Sequence, residues 1–95
     1  GFMFQRGDQI AYIPWHAGGD IAHPDVEFGF VMGPAGLDSY FCRYWRRGEP
    51  GVLRTVANSE STPADMLAPH YSVPQVQVDG LVTAILAEYA GRSGR

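Results

Sequence analysis

The chain of 95 residues contains no lysine, and its seven basic residues, all arginine, are outnumbered by ten acidic ones. Proteins bind nucleic-acid phosphates mainly through lysine and arginine, so a net charge of −3 argues against nucleic-acid binding as the default function. A local cluster of arginines can still bind an anionic partner.

Cysteine is nearly absent, and long apolar runs are missing. The single cysteine, Cys42, has no partner for an intramolecular disulfide, and its place in an aromatic run predicts a buried, inert thiol. No apolar stretch approaches the roughly 20 residues that span a bilayer, and the N-terminal "GFMF" lacks the features of a secretory signal. A cytoplasmic location is therefore expected.

The apolar residues that are present alternate with a period of two in several short segments, which is typical of β-strands. A hydrophobic fraction of 45% predicts one folded domain. Five strands are predicted, at residues 8–15, 26–32, 39–47, 52–57 and 68–73. Gly29 is expected to allow a bulge or sharp bend, and Pro63 to start a single helical turn. Five short strands with one helical turn before the last predict a mostly β fold, a small SH3-like five-stranded barrel over about residues 5–73.

The spacing changes after the last predicted strand. Val78, Leu81, Val82 and Ile85 recur at helical intervals and predict an amphipathic helix over about residues 76–90. We expect its apolar face to pack on its own barrel, with homodimerisation through the same helix as the alternative.

The pattern of residues 5–70 resembles small uncharacterised proteins of bacteriophages and prophage regions. The matching positions are Gly7, Asp8, Tyr12, Pro14, His16, Gly19, Asp20, His23, Pro24, Glu27, Gly29, Arg43 and Tyr44. The resemblance implies an SH3-like barrel of phage or mobile-element origin, with no established activity. At Val26 such proteins often carry a cysteine, so a thiolate ligand is lacking here, and the C-terminal helix lies outside the resemblance.

The stretch "WHAGGDIAHPDVEFG", residues 15–29, concentrates histidines and acids in one loop. Two imidazoles and a carboxylate form a ligand set that suits zinc or iron. The candidate ligands are His16, Asp20, His23, Asp25 and Glu27. An irregular loop fixes no geometry between the histidines, so we expect these groups mainly to bond the loop's own backbone. No metal or cofactor is assigned from the sequence, and a metal site in this loop stays as an alternative.

The predicted strand at 39–47 mixes aromatic residues with arginines. Tyrosine, tryptophan and arginine are the residue types enriched at binding hot spots. The candidate partner-binding residues are Trp15, Arg43, Tyr44, Trp45, Arg46 and Arg47. Their aromatic rings would supply flat contact and their arginines would select an acidic partner. They could instead stack on the bases of a nucleic acid, or form core, but the acidic total favours a protein partner, of the host or of the phage.

Catalysis has little support in the sequence. Cys42 has no assigned base, and Ser59, Ser61 and His70 lie in no nucleophile motif. The "HAGGD" segment lacks the lysine and hydroxyl residue of a phosphate-binding loop. We therefore predict a non-enzymatic interaction module.

Overall fold

Six antiparallel strands and a C-terminal helix account for most of the ordered backbone. The structure, a computed structural model, describes residues 3–54 and 58–93. The elements are β1 (Gln9–Tyr12), β2 (Glu27–Pro34), β3 (Ser39–Arg46), β4 (Glu49–Leu53), β5 (Glu60–Pro63), β6 (Leu67–Pro69) and α1 (Gln75–Ser93). Short 3-10 turns at Trp15–Ala17 and Ala64–Met66 precede β2 and β6.

The strands form one sheet in the order β4-β3-β2-β1-β6. Two strands pair with the same edge of β3. Its residues Ser39–Cys42 pair with β5, and Trp45 and Arg46 pair with β4. In the described residues β6 and the β4–β5 edge do not pair with each other. The mostly β class with a C-terminal helix is confirmed, whereas the predicted five strands are six, and the sheet is not closed into a barrel.

The sequence pattern missed β5 and misplaced two of its neighbours. β5 reads Glu-Ser-Thr-Pro and carries no apolar alternation, because only one of its four side chains, Thr62, is buried. The strand predicted at 52–57 begins earlier, at Glu49, and its residues 55–57 lie outside the described residues. The strand predicted at 68–73 ends at Pro69.

A buried glutamine explains why the last strand stops there. The Gln9 side chain accepts hydrogen bonds from the backbone N–H groups of Ser72 and Val73 (3.0 and 3.2 Å) and donates to the Val73 carbonyl (2.8 Å). These bonds replace a strand ladder for the segment that leads into α1. Gln9 therefore joins β1 to the start of the helix.

The irregularity of β2 lies two to four residues beyond the expected position. The register shifts between Val31 and Gly33, while Gly29 pairs regularly with Tyr44. Glycine is required at 29 because a Cβ atom there would lie 1.9 Å from the Arg43 carbonyl oxygen. The close approach of β2 and β3, and not a bend, accounts for this glycine.

The sheet has a buried cluster on each side. On one side Phe30, Met32 and Trp45 pack against α1, and on the other Ile10, Val31, Cys42, Tyr44 and Leu67 form a second cluster. Val78, Val82 and Ile85 supply the buried face of the helix. Full burial of such side chains contributes at most about 1.5–3 kcal/mol each. The helix thus uses its apolar face on its own sheet, and dimerisation through that face would require it to leave the sheet. Among the described residues, no helix is both long and apolar enough to cross a membrane.

Candidate functional site

Half of the predicted partner-binding residues are core residues. Arg43 is 1% exposed and Trp45 5%, and Tyr44 is buried with them. β3 is central in the sheet, so its alternating side chains point into the helix-covered cluster on one side and into the second cluster on the other. Arg43, Tyr44 and Trp45 cannot serve as an exposed contact surface, and this part of the sequence interpretation is corrected. Trp15, Arg46 and Arg47 are exposed.

The buried Arg43 is held by hydrogen bonds between the sheet and the helix. Its Nε donates to Ser59 Oγ (3.0 Å) and its Nη2 donates to Tyr89 Oη (2.7 Å). Burial raises the pKa of Tyr89, but the hydrogen bonds with Arg43 and Ser59 and the charges of Arg43 and Arg92 together lower it by more, so the pKa lies below the ordinary tyrosine value. Arg43 is therefore a structural residue of the sheet–helix interface.

The other face of β3 carries the thiol and a phenol. Tyr44 Oη and Thr62 Oγ1 share a hydrogen bond of 2.7 Å in the core. Burial raises the pKa of the Cys42 thiol to about 11 and raises that of Tyr44 well above its ordinary value. Only a thiolate is a strong nucleophile, so Cys42 stays protonated and inert near neutral pH.

The first long loop brings together three of its five candidate ligands. His16 Nε2 lies 2.7 Å from Asp25 Oδ2, and the backbone N–H of Asp25 donates to His23 Nδ1 (3.0 Å). The two imidazole rings are 5.3 Å apart between centroids. Asp20 instead accepts a hydrogen bond from the N–H of Ala22 (2.9 Å). The expectation that loop groups bond the loop's own backbone is met by Asp20 and His23.

Glu27, the fifth candidate, belongs to an ion-pair network and not to the histidine cluster. Arg54 donates to Glu27 and to Glu60, and its guanidinium lies 5.3 Å from the centre of the Tyr44 ring. Burial lowers the pKa of Arg54, but its hydrogen bond to Glu60 and the charges of both carboxylates raise it above the ordinary arginine value. The pairing of Arg54 could not be read from the sequence, because its partners lie on β2 and β5.

A pocket of about 170 Å³ lies between the start of β2 and the β3–β4 hairpin. Its lining includes Glu27, Phe28, Trp45, Arg46, Arg47 and Arg54. It therefore joins the end of the histidine-rich loop to the end of the arginine-rich strand, the two regions that the sequence singled out. Gly48 and Pro50 of the hairpin complete one wall.

The polar groups of this pocket differ in how firmly they are paired. Arg47 donates to the Pro24 carbonyl, whereas the ion pair of Arg46 with Glu49 is exposed and 3.4 Å long. Trp45 Nε1 is buried and has no hydrogen-bond partner within the described part of the chain. A buried N–H without an acceptor costs about 1–3 kcal/mol, so an acceptor that reached it would be favoured.

Trp15, the remaining predicted binding residue, lies elsewhere. It is 71% exposed and lines a separate open groove of about 480 Å³ with Ile13, Gly19, Asp65 and Met66. The structure does not bring Trp15 into the same pocket as Trp45 and the arginines.

Comparisons with protein-family models, with curated proteins and with solved structures find no match. The class of protein is therefore defined by its fold, a mostly β chain with a six-stranded antiparallel sheet and a C-terminal helix.

Proposed function

We propose that this protein is a non-enzymatic interaction module that binds an acidic segment of a protein partner in the pocket between β2 and the β3–β4 hairpin. The observation that carries the proposal is that Arg46, Arg47 and Arg54 line one small pocket, with Trp45 as part of its wall.

Charge favours an anionic group in this pocket. Three guanidinium groups line it against one carboxylate, that of Glu27. Arg46 is available for a new partner, because its contact with Glu49 is long and solvent-exposed, and such pairs contribute at most about 1 kcal/mol. A carboxylate accepts hydrogen bonds only, and arginine binds it in a planar, two-bonded geometry.

Size favours a side chain over a small-molecule cofactor. Pockets that hold drug-sized ligands measure about 300–1,000 Å³, and this pocket is about 170 Å³. A glutamate or aspartate side chain presented by an extended segment is small enough for it. The chain's net charge of −3 disfavours a long polyanion such as a nucleic acid more than a single acidic side chain, because the whole backbone of phosphates would be repelled.

Strand order supports an SH3-like plan as part of the proposal. β6 pairs with β1, β1 with β2 and β2 with β3, and a 3-10 turn precedes β6. SH3-like domains bind extended segments in aromatic-lined grooves. The resemblance of residues 5–70 to bacteriophage and prophage proteins supports a host or phage protein as the partner.

The test uses a fluorescein-labelled hexaglutamate peptide, with hexaglutamine as the neutral control, titrated with the full chain at low ionic strength. We expect the acidic peptide alone to bind, and Arg46→Ala to weaken binding about tenfold, since a charge-assisted hydrogen bond contributes about 1.5–3 kcal/mol. Arg92→Ala is the matched control, because Arg92 is also exposed and paired with a glutamate, Glu88. It should leave the affinity unchanged.

The indole N–H groups provide a second readout. The chain has two tryptophans, so a nitrogen–proton correlation spectrum holds two indole signals, which a Trp15→Phe variant assigns. The Trp45 signal should move on peptide addition, while that of Trp15 should not. Equal movement of both, no binding of the acidic peptide, or tighter binding of a single-stranded oligonucleotide would contradict the proposal.

A further inference from the structure

The loop between β1 and β2 folds back on itself at two glycines. Gly18, which follows the 3-10 turn, has a φ of 62°, and Gly19 has a φ of 79°. Both values lie in the left-handed region that glycine adopts without strain. Backbone hydrogen bonds from Asp20 to Ala17 and from His23 to Asp20 continue the reversal. This reversal places the imidazole ring of His23 next to that of His16.

Asp25 completes a cluster of three possible ligands. His16, His23 and Asp25 each offer one ligand atom, and these three atoms lie within 4.8 Å of one another. His16 Nε2 and Asp25 Oδ2 are already 2.7 Å apart. The path of the loop backbone thus brings these three residues together. The side chains of His16 and Asp25 are both more than half exposed.

We propose that His16, His23 and Asp25 form a binding site for a divalent first-row transition metal of the zinc class. Two imidazole nitrogens and one carboxylate oxygen are ligands that zinc accepts, and two imidazoles disfavour calcium and magnesium, which prefer oxygen ligands. None of these three residues lines the arginine-lined pocket.

A zinc ion at this point requires a modest rearrangement of the three side chains. Zinc bonds to nitrogen and oxygen are about 2.0–2.2 Å long, so two ligand atoms of a tetrahedral site lie about 3.3–3.6 Å apart. His16 Nε2 and Asp25 Oδ2, now 2.7 Å apart, would move apart, and any pair near the 4.8 Å limit would close by about 1.2–1.5 Å. Both side chains of the close pair are more than half exposed and have room to turn. Solvent exposure leaves room for a water or a partner's side chain as a fourth ligand.

A purely structural role for the same three residues predicts a different result. The His16–Asp25 contact and the hydrogen bond to His23 Nδ1 would then close the loop without an ion. In that case zinc would find no stoichiometric site, and the stability of the folded chain would not depend on it. The two roles are therefore separable by measurement.

The experiment titrates zinc into the full chain, prepared without a histidine tag, by isothermal calorimetry. We expect one ion per chain. His16→Ala, His23→Ala and Asp25→Asn should each weaken binding about tenfold or more, since even the loss of a group that only orients a ligand costs 10- to 100-fold. Circular dichroism would confirm that each variant folds.

Two control variants match the chemistry of the ligands. Asp20→Asn removes a carboxylate from the same loop while keeping an acceptor for the Ala22 N–H. His70→Gln removes the third histidine, whose ring lies against Phe28. Neither should change the affinity for zinc.

A thermal readout completes the test. Zinc should raise the melting temperature of the wild type, because a ligand that binds only the folded state stabilises it, and should not raise that of the His16→Ala/His23→Ala variant. The proposal is overturned by the lack of stoichiometric binding, by undiminished binding in that double variant, or by an equal loss in His70→Gln.

Discussion

Arg43 Nη2 donates a 2.7 Å hydrogen bond to Tyr89 Oη, joining the central strand β3 to the helix α1 across 46 residues of sequence. Arg43 as a whole is 1% exposed, and its Nε donates to Ser59 Oγ. A charged group is thus buried between the sheet and the helix, and it depends on the helix for part of its hydrogen bonding. The position of α1 is fixed by this bond as well as by apolar packing.

Tyr89→Phe is expected to destabilise the fold by about 1–3 kcal/mol. The change removes the hydroxyl group that accepts a hydrogen bond from the buried Arg43 guanidinium. The loss of one acceptor for a buried charged donor costs about 1–3 kcal/mol. Urea unfolding followed by circular dichroism measures the effect. Tyr71→Phe is the control, because Tyr71 is 74% exposed and should change stability little. Equal stability of both variants would show that the Arg43–Tyr89 bond contributes nothing.

Two glycines of β2 should differ in how far alanine destabilises the fold. A Cβ at Gly29 would meet the Arg43 carbonyl oxygen at 1.9 Å, and backbone atoms of a central strand cannot move aside. We expect Gly29→Ala to cost about 3 kcal/mol or more. At Gly33 a Cβ meets nothing within 4 Å, so Gly33→Ala should be nearly neutral. Melting temperatures of the pair decide this, and similar losses in both would contradict the strand pairing.

Alternation made β2 and β3 predictable, because side chains at every second position of a strand lie on the same face of the sheet. Helical spacing likewise predicted α1, whose Val78, Val82 and Ile85 point at the sheet. β5 could not be predicted, since it is a polar segment held by backbone pairing with β3. The role of Gln9 was also hidden, because a buried amide that bonds residues 72 and 73 leaves no local pattern.

The candidate site could likewise be predicted from the sequence only in part. The sequence singled out the loop in which His16, His23 and Asp25 lie together, since its histidines and acids are local to it. It could not separate Asp25, which reaches His16, from Glu27, which pairs with Arg54, because this depends on the path of the loop and on a distant strand. For the same reason the sequence interpretation treated Arg43 and Arg46 alike, although Arg43 is buried and the strand has left the core at Arg46.

Cys42 should be unreactive in the folded protein. Burial raises the pKa of its thiol to about 11, so at pH 8 only about one molecule in a thousand carries the thiolate. A thiol-disulfide reagent such as dithionitrobenzoate should label the native chain very slowly and the chain in guanidinium chloride rapidly, with one thiol per chain. Fast labelling of the folded protein would contradict the burial of β3.

The carboxyl group of Asp25 should titrate below the ordinary aspartate pKa of about 3.9. The hydrogen bond with His16 is the main cause of the lowered pKa, and the charges of His23, His16 and Arg47 add to it. A carboxylate whose pKa is lower in the folded state stabilises the fold above the unfolded pKa, and this contribution is lost as pH falls through the folded pKa. The loss therefore belongs to the range below about pH 3.9.

Carbon NMR of the aspartate carboxyl groups measures this directly. In His16→Ala the pKa of Asp25 should rise toward its ordinary value, whereas His70→Gln should leave it unchanged, since His70 lies against Phe28. If Asp25 titrates normally in the wild type, its hydrogen bond to His16 is not populated in solution. The proposed metal ligands would then lack their preformed contact, and zinc would have to order the loop as it binds, which weakens the affinity by the free energy of that ordering.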